Sequence, residues 1–162
     1  MEEKETINPI IFNEALKNRR NAYFDVPGEP FAKQRPRAAR KGRYVTIYTP
    51  IETRLYEQKV REAYNEIYGN TEPLKGDISV YIEGVFSIPS SVSKKKREKM
   101  LEENAPHIKK PDCDNMAKIC LDALNGIAYP DDAQINLLHI TKRYGKTPRI
   151  NITIIENQEI ER

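Results

Sequence analysis

Asp112-Cys113-Asp114-Asn115-Met116-Ala117-Lys118-Ile119-Cys120-Leu121-Asp122-Ala123-Leu124-Asn125-Gly126 is the stretch from which the rest of the chain is read. At about 100° per residue, Asp114, Asn115, Lys118, Asp122 and Asn125 fall within one polar arc of about 100°. Met116, Ala117, Ile119, Cys120, Leu121, Ala123 and Leu124 cover the remainder, and Gly126 supplies a helix stop. The spacing predicts a helix from about 114 to 125 with one buried side and a carboxylate–lysine–carboxylate row on the other. Such a helix needs a sheet or a second helix to cover its apolar face.

Outward from that helix, the periodicity changes. Ile150, Ile152 and Ile154 alternate with polar residues, so Arg149 to Ile155 reads as a strand, as does Gln134 to Tyr144. Ile78, Val80 and Ile82 alternate with Ser79, Tyr81 and Glu83, a half-buried strand running toward Ile88 in which Gly84 marks a bulge. Ala22 to Val26 is a further strand, stopped by Pro27-Gly28. Thr49-Pro50-Ile51-Glu52 is a helix start, with Thr49 as cap, Pro50 first in the helix and Glu52 closing a capping box. Leu55, Tyr56, Val60, Ala63, Tyr64, Ile67 and Tyr68 recur at helical spacing as a core stripe, ended by Gly69-Asn70. Ser93 caps a short, highly charged surface helix from Lys94 to about Glu103. The element order gives an α+β (mixed α/β) fold, a small β-sheet packed against two main helices. Residues 1–20 read as an N-terminal extension with a short helix over Ile11 to Leu16, and residues 21–162 as one domain.

The 162 residues are enough for a sizeable core. Apolar runs fall short of the roughly 20 residues a membrane helix needs. The N-terminal Met1-Glu2-Glu3-Lys4-Glu5 lacks the basic start of a signal peptide, so the chain is read as cytoplasmic. Cys113 and Cys120 match no zinc spacing and read as free thiols, Cys120 on the apolar helix face. Net charge is +3 but uneven: Phe31 to Ile51 holds no acid and six cations, Lys33, Arg35, Arg37, Arg40, Lys41 and Arg43. The rest of the chain has 21 basic residues against 24 acidic ones. Pro36 and Gly42 make this basic segment a loop or irregular hairpin, and Tyr44 and Tyr48 within it can stack on bases or sugars. An acid-free run of this kind suits a phosphate backbone.

Two aspartate pairs flank the helix, Asp112 with Asp114 and Asp131 with Asp132. Structural explanations exist for each: a helix cap, an i,i+4 ion pair between Asp114 and Lys118, a turn at Pro130-Asp131-Asp132. Taken together on a chain with a basic segment, they point to a magnesium site facing a polyanion. Magnesium takes hard oxygen ligands and keeps several waters. Two such ions about 3.5–4 Å apart serve in-line displacement at phosphorus, and Lys118 can neutralise charge that develops on the phosphate. His107 and His139 adjoin no evident nucleophile and read as incidental surface or supporting residues.

The run Lys110-Pro111-Asp112-Cys113-Asp114-Asn115-Met116-Ala117-Lys118 resembles the RusA family of Holliday junction resolvases. So do Leu121-Asp122-Ala123-Leu124-Asn125-Gly126, Asp131-Asp132-Ala133-Gln134, and upstream Gly28-Glu29-Pro30 and Lys33-Gln34-Arg35-Pro36-Arg37. The resemblance spans roughly residues 22 to 156. It implies a homodimeric, Mg2+-dependent (Mn2+ as substitute) endonuclease that resolves four-way branched DNA by paired symmetric phosphodiester cleavage. Asp112, Asp114 and Asp132 would be its metal-binding catalytic acids, Lys118 its catalytic lysine and Asp131 an auxiliary metal ligand. Lys33, Arg35, Arg37, Arg40, Lys41 and Arg43 are the expected DNA contacts, with Lys142, Arg143 and Lys146 as a substitute surface. The alternative is a non-catalytic DNA-binding or architectural protein whose acidic cluster is structural. A metal-dependent phosphotransferase acting on nucleotides is a third reading, disfavoured by the lack of a phosphate-cradling Gly-rich loop.

Overall fold

Ile150, Ile152 and Ile154 are fully buried, and the strand that carries them, β6 (Arg149–Glu156), organises the sheet. In the computed structural model, which describes residues 20–157, β6 pairs antiparallel with β1 (Asn21–Pro27) on one side and with β4 (Ile78–Ser87) on the other. The strand β5 (Ile135–Gly145) joins β4 in parallel, giving the order β1-β6-β4-β5. Parallel neighbours require a crossover. Here it carries α2 (Lys94–Glu102), α3 (Cys113–Leu124) and one turn of 3-10 helix (Asp132–Gln134). The helix α1 (Ile51–Tyr68) packs against α3 and β1, with Phe24 and Tyr64 in edge-to-face contact at 5.5 Å. The α+β architecture, a small sheet with two main helices on it, is the one expected. The helix expected over Ile11 to Leu16 lies outside the described residues.

Residues 112–126 fold as anticipated, with the helix starting and ending one residue earlier. Met116, Ala117, Ile119, Cys120, Ala123 and Leu124 of α3 are buried, each large side chain worth about 1.5–3 kcal/mol. The helix is followed by Gly126 at φ +76°. Gly84 is not a bulge: the register of β4 shifts between Ile78 and Ser79 instead. A Cβ at Gly84 would sit 2.6 Å from Met116 Sδ, so this glycine is what lets α3 lie close on the sheet. β4 is also more than half-buried, because it is a central strand. Its outward Glu83 bonds to Arg143 on β5 (2.7 Å) and Asn151 on β6 (2.8 Å).

Three details of the helices differ from expectation. Pro50, not Thr49, occupies the N-cap position of α1 and no side chain caps it, since a proline at that position brings no side-chain acceptor. Ser93 holds the N-cap position of α2 without a side-chain cap bond. Leu55 and Ile67 are each 59% exposed, because the buried face of α1 follows Thr53, Glu57, Val60 and Tyr64. The basic segment does form a hairpin, β2 (Arg37–Lys41) with β3 (Tyr44–Tyr48). Gly42 opens its two-residue turn at φ +64°, a conformation glycine adopts freely.

Candidate functional site

At the start of α3, Asp112 takes the N-cap position, yet its carboxylate caps nothing; only its backbone carbonyl accepts, from Met116 N at 3.0 Å. Asp114 lies in the first turn and its Oδ1 accepts from Asn115 Nδ2 at 3.4 Å. Among the described residues no ion pair joins Asp114 to Lys118, which stands exposed one turn on. Neither a cap nor a surface ion pair therefore accounts for these two exposed carboxylates.

The backbone leading into them is pinned. Lys142 of β5 donates from Nζ to the carbonyls of Lys109 (2.7 Å) and Pro111 (2.6 Å), the latter immediately before Asp112. His107 N donates to the Lys142 carbonyl at 3.1 Å. His107 is not incidental: its ring is buried, stacks on Phe86 with centroids 3.8 Å apart and meets Tyr144 edge-on. Burial, and then the Lys142 charge, lowers its pKa. Lys142 and Arg143, the substitute DNA surface of the sequence reading, are thus engaged with the protein itself, while Lys146 is exposed.

The second acidic pair divides its work. Asp131 caps the 3-10 turn, accepting from Ala133 N at 2.9 Å, while Gln134 Oε1 accepts from Asp131 N at 3.0 Å. Asp132 is exposed and makes no such bond. Buried Tyr129 connects this turn to α3 by donating to the Leu121 carbonyl at 3.1 Å. Its pKa is raised by burial first, then by the charge of Asp132 and, more weakly, those of Cys120 and Asp122. Asp132 is therefore near the last turns of α3, whereas Asp112 and Asp114 are at its first. Seven residues of helix, about 10 Å, separate Asp114 from the Leu121 carbonyl that Tyr129 holds. The two ends also lie apart along β5: Lys142 holds the Asp112 end, and Ile135, about 23 Å back along the strand, follows the Asp132 turn. Among the described residues no three His, Cys, Asp or Glu side chains are grouped to hold a metal ion. Two exposed, unpaired carboxylates still suit magnesium, which commonly binds one or two carboxylates plus waters and substrate phosphates.

Lys33 behaves unlike the other five cations of the basic segment. Its ammonium pairs with Glu57 and with Asp122 at 2.9 Å, and its backbone N donates to the Asn115 carbonyl at 2.9 Å. Its pKa is raised: burial opposes the charge, but bonds and charges from Glu57 and Asp122 outweigh it. Gln34 N donates to Thr53 Oγ1 at 3.4 Å, so the root of the segment is tied to both α1 and α3. Arg35, Arg37, Arg40, Lys41 and Arg43 are exposed. Burial pushes the Cys120 thiol up to about 12, which rules out a thiolate there at neutral pH. Sequence reading missed Glu57, Thr53 and Tyr129, and named Lys142 only as a substitute DNA contact. A signal existed for the first two, since extending the Tyr64–Val60 spacing backward lands on Glu57 and Thr53.

Residues 27–155 match the family model described as Endodeoxyribonuclease RusA. A protein of Bacillus subtilis (strain 168) named Uncharacterized protein YqaN is 34% identical over 135 residues, covering 82% of this chain and 94% of its own length.

Proposed function

This chain belongs to the endodeoxyribonuclease RusA family, and from that premise we propose that it resolves Holliday junctions by paired, symmetric, magnesium-dependent cleavage as a homodimer. The observation that carries the reading is the pair Asp112 and Asp114, exposed at the start of α3 and, among the described residues, in no helix cap or ion pair, with Lys118 one turn on. Asp112 and Asp114 would hold the metal. When bound, Mg2+ (or Mn2+) supplies a Lewis acid toward the phosphate and acidifies water for in-line attack. Lys118 places an ammonium beside the phosphate, where it offsets negative charge as it develops. Lys142 keeps the Asp112 backbone in place by holding the carbonyls of Lys109 and Pro111. Arg35, Arg37, Arg40, Lys41 and Arg43 bind backbone phosphates, while Lys33 anchors their segment.

Asp132 is the third acid that the family resemblance names, and among the described residues it is not grouped with Asp112 and Asp114 to hold a metal ion. We assign its contribution to the partner subunit, with Asp131 shaping the turn that presents it. Two observations support a dimer contact on that side. The strand β5 is an edge of the sheet: among the described residues its outer side is met by residues 105–107 near Lys142 and Tyr144, while its first half has no strand partner there and exposes Leu137 and Leu138 a few residues beyond Asp132. Symmetric nicks across a four-way junction also require two sites related by a two-fold axis.

The test is cleavage of a synthetic four-way junction beside a linear duplex of matching sequence, with and without Mg2+. Paired symmetric nicks on the junction are expected from the native chain. Asp114→Asn should lose cleavage and retain junction binding. Magnesium-dependent cleavage persisting in that variant would sink the catalytic assignment, and binding without any cutting by the native chain would favour an architectural role.

A further inference from the structure

All ten residues of the β2–β3 ribbon are exposed, so neither of its faces is packed on the body of the protein. The register separates the two faces, because opposed residues share a side and successive ones alternate. On one side lie Arg37 opposite Tyr48, Ala39 opposite Thr46, and Lys41 opposite Tyr44. This face has a cation–tyrosine pair at each end and a saddle of small side chains between them. On the other side lie Ala38 opposite Ile47 and Arg40 opposite Val45. That second face is apolar apart from Arg40, with Ile47 73% and Val45 65% exposed.

A two-stranded ribbon with a bare apolar face is at best marginally stable in water, so its occupant is part of its working state. Charge complementarity selects that occupant. Both faces carry arginine, and Phe31 to Ile51 contains no acid to oppose a polyanion. A linear duplex offers phosphates and groove edges but keeps its base-pair faces stacked. A branch point exposes those faces, and apolar side chains can pack on them as wedges do between unstacked base steps.

Resting on the nuclease reading above, we propose that the ribbon is a wedge for the branch point of the DNA substrate. Val45 and Ile47 pack on an exposed base-pair face there. Tyr44 and Tyr48 stack on bases of the strand that turns away, and Arg37 and Lys41 hold its phosphates. The ribbon thereby distinguishes branched from linear DNA, which its cations by themselves do not.

The test uses the full chain in EDTA, so that binding is read without cleavage. The substrates are a four-way junction with 2-aminopurine at the branch and a linear duplex of the same sequence. The native chain should raise the 2-aminopurine fluorescence on binding the junction. The double variant Val45→Thr, Ile47→Thr keeps β-branched side chains and so keeps the strand. It should lose about tenfold or more in junction affinity and the fluorescence rise, while its duplex affinity stays within about twofold. Equal losses on both DNAs would overturn the wedge in favour of a general phosphate clamp. Unchanged junction binding with a shift from dimer to monomer in sedimentation would overturn it in favour of a protein contact. A native chain that does not prefer the junction at all would overturn the resolvase reading as well.

Discussion

Lys33 and Arg37 stand four positions apart in the same acid-free stretch, yet their charges are used differently. Lys33 is shared between Glu57 and Asp122, and Glu57 is only 9% exposed. Removing the ammonium leaves a nearly buried carboxylate with Arg61 at 3.7 Å as its remaining cation. Lys33→Met should therefore cost about 2 kcal/mol in denaturant unfolding, below the range for a fully buried pair because both partners retain some solvent. Arg37→Ala, at an exposed ribbon position, should leave stability within about 0.5 kcal/mol and show its effect on DNA binding instead. His107 gives a pH signature. Its folded pKa lies below the ordinary 6.5 through burial and Lys142, with Lys109 adding to this and Glu29 opposing it. The folded state then binds fewer protons than the unfolded state in that window. Stability is full above about pH 6.5 and declines as pH falls through the folded value. His107→Phe should flatten the decline in melting temperature between about pH 7.5 and 5, and an equally steep decline in the variant would move the sensitivity to other groups.

Among the elements, α3 is the one most legible in the sequence, because its apolar face is continuous and its polar arc narrow. β6 was equally legible from three alternating isoleucines. α1 was legible as a helix but not in its orientation. Helical spacing cannot separate Leu55 from Val60 when both are apolar; what decides is that Thr53 and Glu57 face the root of the basic segment, a contact distant in sequence. The roles of Lys142 and His107 were hidden for the same reason, since each depends on β5 meeting the loop before α3. The acids Asp112, Asp114, Asp131 and Asp132 could be named from their motifs, but the division of labour between Asp131 and Asp132 needed the capping geometry of the turn. Lys142 now makes a testable link between strand and helix. Lys142→Met should lower the rate of junction cleavage at saturating magnesium by about tenfold or more, through loss of alignment at Asp112, and leave junction affinity near the native value. Equal losses in rate and affinity would instead make Lys142 a DNA contact.

At the scale of the whole molecule, the separation of the acid pairs across α3 gives the dimer proposal a decisive mixing experiment. Asp114→Asn and Asp132→Asn homodimers should each be inactive. Subunit exchange between them should restore nicking at about a quarter of the native site number, because half the mixed population is heterodimer and each heterodimer rebuilds one intact site of two. No recovery after verified exchange would place all three acids in one chain. The cationic segment is read through salt: replacing Arg35 and Arg37 together should reduce the slope of log affinity against log salt by about 2, broadly across sequences. An unchanged slope would move the phosphate contacts elsewhere, Lys146 being the exposed candidate. The ribbon's exposure has a consequence for how such a protein can change over generations. None of its ten side chains helps hold the core together, so substitutions there are close to neutral for folding. Substrate preference can thus drift, or be selected, on the ribbon without eroding the reserve of stability that the sheet and α3 maintain. The part that would choose the DNA is free to diverge fastest, while the part that would cut it stays tied to the fold.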